Sequence, residues 1–333
     1  MSEVNRVEMS DILSSLKPGI NLNGVIDYAD SFIFQGDSVH SYNNEIAVGH
    51  PLPEGLSLTG AVVAEPLLRF LSCVSAESVN FDTTEKELIV KTKNSKASFP
   101  LKIDKSFPVS CIPIPEKKGW KELSCQLVDA LLLVAKSSSS VPTSILSFIC
   151  IRKQLVIATD RFCLSAFMIP GLEDMPLLPS GIVSYFQEFK PTMFSFSKDW
   201  IHFFNEKEST LSCRCGEGEF PDVSSLLKIT GQTILLPKDL SEVLKRAGLF
   251  SKTEIDFEKQ LISLEAKEGQ LFVKGTGWTG SFEETIPMED DSEFSFSVHP
   301  DYIISAMELG RKMILNEKAL LLKGKNFSHL ISL

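Results

Sequence analysis

The sequence predicts an α+β protein made of three repeated units, each with two helices and antiparallel sheets. Three observations lead to this prediction. The 333 residues exceed the length of one typical domain. Segments with helical spacing recur about every 115 residues. The segments between them read as short strands joined by short turns, which favours antiparallel pairing.

The first helix of each predicted unit has apolar residues at i, i+3 and i+4 spacing. The three segments are SDILSSLK (10–17), QLVDALLLVAK (126–136) and DLSEVLKRAGLF (239–250). Leu127 and Leu240 are 113 residues apart, and Ile12 precedes Leu127 by 115. This near-constant spacing predicts that the three helices occupy the same position in three copies of one unit.

The second helix of each unit is predicted from a proline that opens a stretch with helical spacing. Pro66, Pro179 and Pro300 are separated by 113 and 121 residues. Proline suits the first turn of a helix because the N–H that it lacks would have no helical acceptor there.

Each unit is also expected to hold roughly eight strands. Three hairpins are predicted, in SFIFQGDSVHSY (31–42), SFICIRKQLVIATD (147–160) and LISLEAKEGQLFVKGTG (261–277), the last with Glu268-Gly269 as its turn. The glycine-rich GTGWTG (275–280) is expected to be a loop between strands. Polar, turn-rich segments at 115–119 and 228–232 place the domains at 1–117, 118–230 and 231–333.

The composition is ordinary for a soluble globular protein, and a cytoplasmic location is expected. No apolar run is long enough to cross a bilayer, and the N-terminal residues lack the basic and apolar regions of a secretory signal. We therefore expect no membrane partner and seven free cysteine thiols. Only Cys213 and Cys215 are close in sequence, which is weak evidence for a metal, so no metal or cofactor is expected.

One stretch, LVIATDRFCLSAF (155–167), has residue types used in catalysis. Cys163 as a nucleophile would need a base, and none of the five histidines is near it in sequence. The favoured interpretation is a packed thiol on a strand, with Asp160 capping a turn. The sequence also lacks the phosphate-loop, dinucleotide, zinc-protease and serine-hydrolase motifs. A non-enzyme is therefore predicted, and a thiol hydrolase that uses Cys163 is the less favoured alternative.

The distribution of charge matters more than the net charge of −10. The net charges of six helical windows sum to +2, which leaves −12 for the rest of the chain; the windows are 9–18, 64–75, 123–136, 179–190, 237–252 and 300–312. Cations near helix C-termini are favoured by the helix dipole, and they also suit loose contact with a polyanion. Both interpretations stay open for the basic residues of these helices: Lys17, Arg69, Lys136, Lys190, Lys245, Arg246, Lys252, Arg311 and Lys312.

Four stretches resemble the bacterial DNA sliding clamp, the beta subunit family of DNA polymerase III. They are LVIATDRFCLSAF, GEGEFPDVSSLL, LPKDLSEVLKRAGLFSK and FSVHPDYIISAM, in the family's order. The resemblance implies a head-to-tail homodimer whose six domains form a ring around duplex DNA, with helices lining the hole. It also implies partners: the replicative polymerase, a clamp loader and other proteins with a short clamp-binding motif. A clamp fold reused as an interaction scaffold without DNA is an alternative.

The resemblance also implies two sets of site residues. A peptide-binding pocket would include Leu146, Thr159, Arg161, Phe162, Leu164, Leu227, Tyr302, Phe327, His329 and Leu330. The dimer interface would use Phe99, Leu101, Leu249 and Phe250, although all four also suit an ordinary core. The loop DRFCLS departs from the family's D-G-H-R-L-A, so a different peptide preference is expected. This divergence would suit a phage-encoded or otherwise unusual clamp.

Overall fold

A computed structural model describes residues 2–23, 26–103, 119–251 and 260–333. These residues form seven α-helices and 24 β-strands. The helices are α1 (Arg6–Ser15), α2 (Ala64–Cys73), α3 (Cys125–Ala135), α4 (Ser180–Val183), α5 (Phe186–Phe189), α6 (Leu240–Phe250) and α7 (Pro300–Met307). The strands are β1 (Ser2–Asn5), β2 (Ser31–Gly36), β3 (Ser38–Tyr42), β4 (Ile46–Pro51), β5 (Leu58–Val63), β6 (Ser78–Thr83), β7 (Glu87–Lys91), β8 (Lys96–Pro100), β9 (Lys121–Glu122), β10 (Phe148–Arg152), β11 (Leu155–Thr159), β12 (Cys163–Met168), β13 (Met175–Pro179), β14 (Met193–Ser197), β15 (Trp200–Phe204), β16 (Thr210–Arg214), β17 (Gln232–Leu235), β18 (Ile262–Lys267), β19 (Gln270–Gly277), β20 (Gly280–Pro287), β21 (Phe294–Val298), β22 (Lys312–Leu315), β23 (Ala319–Lys323) and β24 (Phe327–Ser332).

The strands fall into three successive runs of eight, which confirms the predicted α+β repeat. Two eight-stranded sheets have the same order, β5-β2-β3-β4-β16-β15-β14-β9 and β13-β10-β11-β12-β24-β23-β22-β17. Each therefore joins the fifth, second, third and fourth strands of one run to the eighth, seventh, sixth and first of the next. The remaining strands form two four-stranded sheets, β1-β6-β7-β8 and β20-β19-β18-β21.

The chain divides into two compact units, residues 1–128 with 178–216 and residues 129–177 with 217–333. The division follows the strand order, because each eight-stranded sheet takes strands from two successive runs. The domain boundaries at 117/118 and 230/231 stay predictions, and the first lies outside the described residues. Among the described helices, none is long and apolar enough to cross a bilayer.

The first helix of the chain begins earlier than the sequence pattern indicated. The helix was expected from residue 10, but α1 begins at Arg6. Asn5 is its N-cap, and its Oδ1 accepts hydrogen bonds from the N–H of Val7 and Glu8 at 2.9 and 3.1 Å. The polar first turn shows no apolar spacing, so only the capping residue marked this end.

The three prolines lie at the start of helices, as expected, but one helix is interrupted. Pro66 is in the first turn of α2, Pro300 is the first residue of α7, and Pro179 precedes α4. The segment after Pro179 forms α4 and α5 with a break at Ser184–Tyr185. Its glycine and its β-branched and aromatic residues favour a helix weakly, so one continuous helix is not maintained.

The predicted hairpins are present, but a predicted loop is part of a further hairpin, β19–β20. Glu268 and Gly269 join β18 to β19 with φ angles of +52° and +72°, as in a two-residue turn with both residues left-handed. GTGWTG is not a loop, because its residues extend β19 and begin β20. Only Trp278 and Thr279 form the turn.

Candidate peptide-binding site and DNA-facing residues

The stretch 160–163 is a tight turn between β11 and β12, held by one carboxylate. Asp160 Oδ1 accepts hydrogen bonds from the N–H of Phe162 and Cys163 at 2.9 and 2.7 Å. Asp160 Oδ2 accepts a third from the hydroxyl of Tyr302 at 3.0 Å. The turn holds Arg161 at φ +89°. Asp160 therefore has the turn-capping role predicted from the sequence.

The ten residues of the predicted pocket lie on both faces of one sheet. Cross-strand pairs share a face, so the pairs Thr159 with Leu164 and Leu164 with Leu330 define one face, the Leu164 face. Their neighbours in sequence lie on the opposite, His329 face. Phe327 and His329 are on this second face of β24. The structure therefore groups part of the predicted pocket and separates the rest.

An apolar cluster covers the Leu164 face. Leu146, Leu164 and Leu330 are buried in it, and Leu227 packs against it half-buried. Eight buried residues that the resemblance did not assign complete the cluster: Cys150, Ile157, Ala166, Leu177, Phe220, Val223, Ala319 and Leu321. Phe220 and Val223 belong to EFPDVS, so that motif contained the signal for them.

Two apolar side chains that are close in sequence to cluster residues are exposed, and we call them the exposed edge of the Leu164 face. Phe162, in the turn, is 37% exposed, and Leu226, beside the half-buried Leu227, is 48% exposed. Arg161 is also exposed, and its backbone N–H donates to Thr159 Oγ1 at 3.3 Å. Exposed apolar side chains beside a buried apolar cluster are typical of a surface that binds another chain.

The His329 face has a buried polar network instead. His329 Nδ1 lies 2.8 Å from Ser165 Oγ, which lies 2.7 Å from Ser137 Oγ. These side chains, with Cys163 and Tyr302, line a cavity of about 30 Å³. Burial, reinforced by the charge of Asp160, raises the pKa of the Cys163 thiol well above its usual range. Because only a thiolate is a good nucleophile, this environment argues against the thiol-hydrolase alternative.

Two buried histidines make the free energy of unfolding depend on pH. Burial lowers the pKa of His329 to about 4 and that of His202 to about 4, from 6.5. Between pH 6.5 and 4 the unfolded chain binds more protons than the folded one, so stability is full above pH 6.5 and is lost as the pH falls toward 4. Between pH 7 and 5 we expect a loss of about 2 kcal/mol per histidine.

Urea unfolding at these two pH values measures this loss. We expect His329→Asn to show a smaller loss than the wild type, because one of the two groups is gone. An equal loss in both proteins would contradict the assignment to His329.

An equivalent turn joins β3 to β4, but the side chains beside it are different. Asn43 Oδ1 accepts from the N–H of Glu45 and Ile46 at 3.1 and 2.8 Å, as Asp160 does in its own turn. Here, however, the Arg214 guanidinium lies 5.1 Å from the centre of the Trp200 ring. Its Nε also donates to the carbonyl of Asn44 at 2.7 Å. A charged side chain, Arg214, therefore lies beside the β3–β4 turn, where the β11–β12 turn has exposed apolar side chains.

The arrangement of strands and helices is similar to that of several solved bacterial structures. The beta subunit of DNA polymerase from Streptococcus pyogenes matches with a TM-score of 0.83 at 18% identity, over 99% of this chain and 98% of that chain.

The chain has the fold of the bacterial DNA sliding clamps.

A second clamp, from Helicobacter pylori and bound to a DNA ligase peptide, matches with a TM-score of 0.77 at 16% identity, over 99% of this chain and 98% of that chain. The DNA polymerase III subunit beta of Pseudomonas aeruginosa, bound to griselimycin, gives 0.82 at 14% identity over the same shares. No protein-family model and no curated protein matches the chain. The chain therefore has the clamp fold although its sequence differs greatly from the sequences of these proteins.

The basic residues predicted to face DNA in this clamp fold divide into paired and unpaired groups. Four are in ion pairs with acidic residues: Lys136 with Glu308, Lys245 with Glu242, Arg246 with Glu284 and Arg311 with Glu289, at 2.6 to 3.2 Å. Hydrogen bonding to Arg311 lowers the pKa of Glu289, and hydrogen bonding to Lys245 lowers that of Glu242. Nearby carboxylates therefore offset these four charges.

The other basic residues differ in their surroundings. Lys17, Arg69, Lys190 and Lys312 are exposed and have no ion pair within the described part of the chain. Lys17 and Arg69 line one groove of about 560 Å³ between α1 and α2, with the hydroxyls of Ser10, Ser14 and Ser72. Lys252 lies outside the described residues. The carboxylate of Glu65 also lines this groove. The two cations, which have no ion pair among the described residues, and the three hydroxyl groups outnumber this carboxylate, which suits phosphate oxygens.

The four residues predicted for a clamp dimer interface lie beside the free edges of the two four-stranded sheets. Phe99 is on the edge strand β8, and Leu101 follows it; both side chains are buried, with the Phe99 ring 5.8 Å from that of Phe70. Leu249 is 59% exposed, and Phe250 stacks on Phe282 of the edge strand β20 at 5.7 Å. Burial of Phe99 and Leu101 within the chain favours the ordinary-core alternative for these two. The interface assignment stays a prediction.

Proposed function

We propose that this protein is a DNA polymerase processivity factor, a homodimeric ring that encircles duplex DNA and slides along it. The Leu164 face would hold the replicative polymerase and other partners through a short peptide motif. The ring needs no catalytic residue, metal or cofactor, because closure alone prevents its escape from DNA. A separate clamp loader would open it, in the cytoplasm.

The order of strands in the sheets is the observation that carries the proposal. In both eight-stranded sheets the fourth strand of one run pairs with the eighth strand of the next run. Among the described strands, the fourth strand of the last run, β20, and the eighth strand of the first run, β8, are left as edges. Pairing β20 with β8 of a second copy would repeat the same rule, and two such junctions close a ring.

The two existing junctions also give a register for the proposed one. Leu330 pairs with Leu164, and Ser328 with Ala166. The hairpins β7–β8 and β23–β24 match, so Ser98 corresponds to Leu330 and Lys96 to Ser328. Counted from the matching β10–β11 and β18–β19 turns, Glu283 corresponds to Leu164 and Thr285 to Ala166. In the proposed junction, Ser98 of one copy would therefore lie opposite Glu283 of the other, and Lys96 opposite Thr285. The same register sets Phe99 opposite Phe282.

Backbone directions on both edges agree with this register. The N–H of Met288 donates to the carbonyl of Gly269 on the β19 side, and that of Leu101 donates to Lys86 on the β7 side. Because the direction alternates along a strand, the N–H groups of Glu283, Thr285 and Ser98 point away from their own sheets. These are the groups that the register pairs.

Contact with DNA is proposed to be loose and independent of sequence. The unpaired cations of the helices would meet phosphates, and the net charge of −10 would limit binding elsewhere. We expect Lys17→Ser with Arg69→Ser to lower the slope of log K against log salt by about 2. Fluorescence anisotropy with a labelled duplex over a salt series measures this slope. The paired Lys245→Ser serves as a control, and an unchanged slope in the double variant would remove the α1–α2 groove from the DNA surface.

Retention on DNA of different topology tests the function directly. The protein is loaded with a clamp loader onto nicked circular plasmid, free protein is removed by gel filtration, and half of the sample is linearised. A sliding ring stays on circles and leaves linear molecules. Equal retention on both, or no retention where a control clamp is loaded, would overturn the proposal.

A non-DNA interaction scaffold is the second candidate, and the paired basic residues favour it. Ion pairs to carboxylates offset the charges of Lys136, Lys245, Arg246 and Arg311. A scaffold would bind the DNA ligase peptide of the Helicobacter pylori complex and show no topological retention.

A further inference from the structure

The turn that carries Arg161 and Phe162 is tied to a helix. The hydroxyl of Tyr302, in α7, donates to Asp160 Oδ2 at 3.0 Å, while Asp160 Oδ1 accepts the two N–H groups of the turn. The half-buried Asp160 carboxylate therefore links α7 to the backbone of the turn. This is a side-chain link from the His329 face to the exposed edge of the Leu164 face.

The backbone of the turn explains why such a restraint matters. Arg161 has φ +89°, a region that glycine, asparagine and aspartate occupy more readily than other residues. The equivalent position in the β3–β4 turn is Asn44, at φ +75°. An arginine at this position makes the observed turn less favourable by itself, so its geometry depends more on the bonds around it.

The equivalent turns also differ in how their capping residue is held. Asn43 uses its second side-chain atom, Nδ2, to donate to the carbonyl of Pro18 at 3.3 Å. Asp160 uses Oδ2 to accept from Tyr302. The capping side chain is thus bonded to a backbone carbonyl in the β3–β4 turn and to a helix side chain in the β11–β12 turn.

We propose that Tyr302 is a positioning residue for peptide binding, which acts through Asp160 on the turn that presents Phe162. This rests on the proposed function of the Leu164 face. The resemblance placed Tyr302 in the lining of the pocket, whereas its hydroxyl bonds to Asp160 and its ring centre lies 5.3 Å from that of His299. Tyr302 therefore affects the peptide by fixing the turn.

Tyr302→Phe removes the hydroxyl and keeps the ring. The probe is the fluorescein-labelled DNA ligase peptide of the Helicobacter pylori complex, and fluorescence polarisation measures its Kd. We expect Tyr302→Phe to raise the Kd by about 5-fold, since a hydrogen bond to a carboxylate is lost. Tyr185→Phe, the same change on an exposed tyrosine between α4 and α5, is expected to leave the Kd unchanged.

Two further measurements separate positioning from a general loss of structure. In a double-mutant cycle, Tyr302→Phe is expected to have no added effect on an Asp160→Ala background. Hydrogen exchange of residues 160–163 is expected to be faster in Tyr302→Phe before any peptide is added, with the rest of β11 and β12 unchanged. The exchange result needs only the single variant, so it holds even where Asp160→Ala fails to fold.

The outcomes distinguish the two proposals. An unchanged Kd in Tyr302→Phe, or full additivity with Asp160→Ala, would overturn the positioning role while leaving the peptide site in place. Absence of binding by the wild-type protein would count against the proposed function of the Leu164 face itself, and the positioning role would fall with it.

Discussion

Replacing Thr285 with proline is expected to raise the dissociation constant of the homodimer by about 100-fold and to abolish retention on circular DNA. Thr285 lies on the free edge of β20, and its N–H points away from β19. Proline lacks this N–H and adds a ring in the path of an incoming strand. Because the ring has two identical junctions, one substitution damages both.

The monomer should tolerate this change. Proline is accepted on edge strands whose N–H faces solvent, and Pro287, two residues later on the same side of β20, already occupies such a position. Thr285→Ala, which keeps the N–H, is the matched control. Analytical ultracentrifugation gives the dissociation constants, and a Thr285→Pro dimer as tight as the wild type would rule out the proposed β20–β8 junction.

Replacing Phe162 with alanine is expected to weaken binding of the DNA ligase peptide by about 30-fold, the effect typical of a hot-spot side chain. Phe162 is the large aromatic side chain at the exposed edge of the Leu164 face, and exposed aromatic residues beside a buried apolar cluster frequently dominate binding energy. The turn does not depend on this side chain, because Asp160 bonds to the backbone N–H of residue 162. The fold should therefore survive the substitution.

The control for Phe162→Ala is Leu261→Ala, which removes an apolar side chain just before β18. This side chain is 46% exposed. Fluorescence polarisation with the same labelled peptide is the measurement. Equal affinities of wild type and Phe162→Ala would remove the turn from the binding surface. A matching loss in Leu261→Ala would show that the effect is not local.

Buried residues of the candidate site were easier to predict than its spatial grouping. Leu146, Leu164 and Leu330 fall in one cluster, as the resemblance implied, because each is apolar and lies on a strand or its flanking turn. Phe327 and His329 precede Leu330 by only a few residues in β24, yet they face the other side of the sheet. A strand reverses the direction of its side chains at every residue, so nearness in sequence to a pocket residue does not place a side chain in the pocket.

The basic residues show a second limit of sequence reasoning. Lys17 and Arg246 both looked like cations at helix ends, but Arg246 forms a bidentate pair with Glu284, 38 residues away, and Lys17 has no such partner in the described structure. Partners distant in sequence leave no local pattern. Whether a cation is free to meet phosphate therefore depends on the tertiary structure.

The sequence by itself determined the repeat, the number of strands in each run, the antiparallel hairpins and the capped turn at Asp160. These features depend on periodicity and on turn chemistry within a few residues, which a sequence contains directly. The tertiary structure decided which runs share a sheet, which strands remain as edges and which helix side chain holds the turn. Those depend on contacts between segments that are far apart in sequence, such as Phe167 with Phe327, Ile46 with Cys213 and Asp160 with Tyr302. At such separations the packing of whole strands and helices decides the choice of partner.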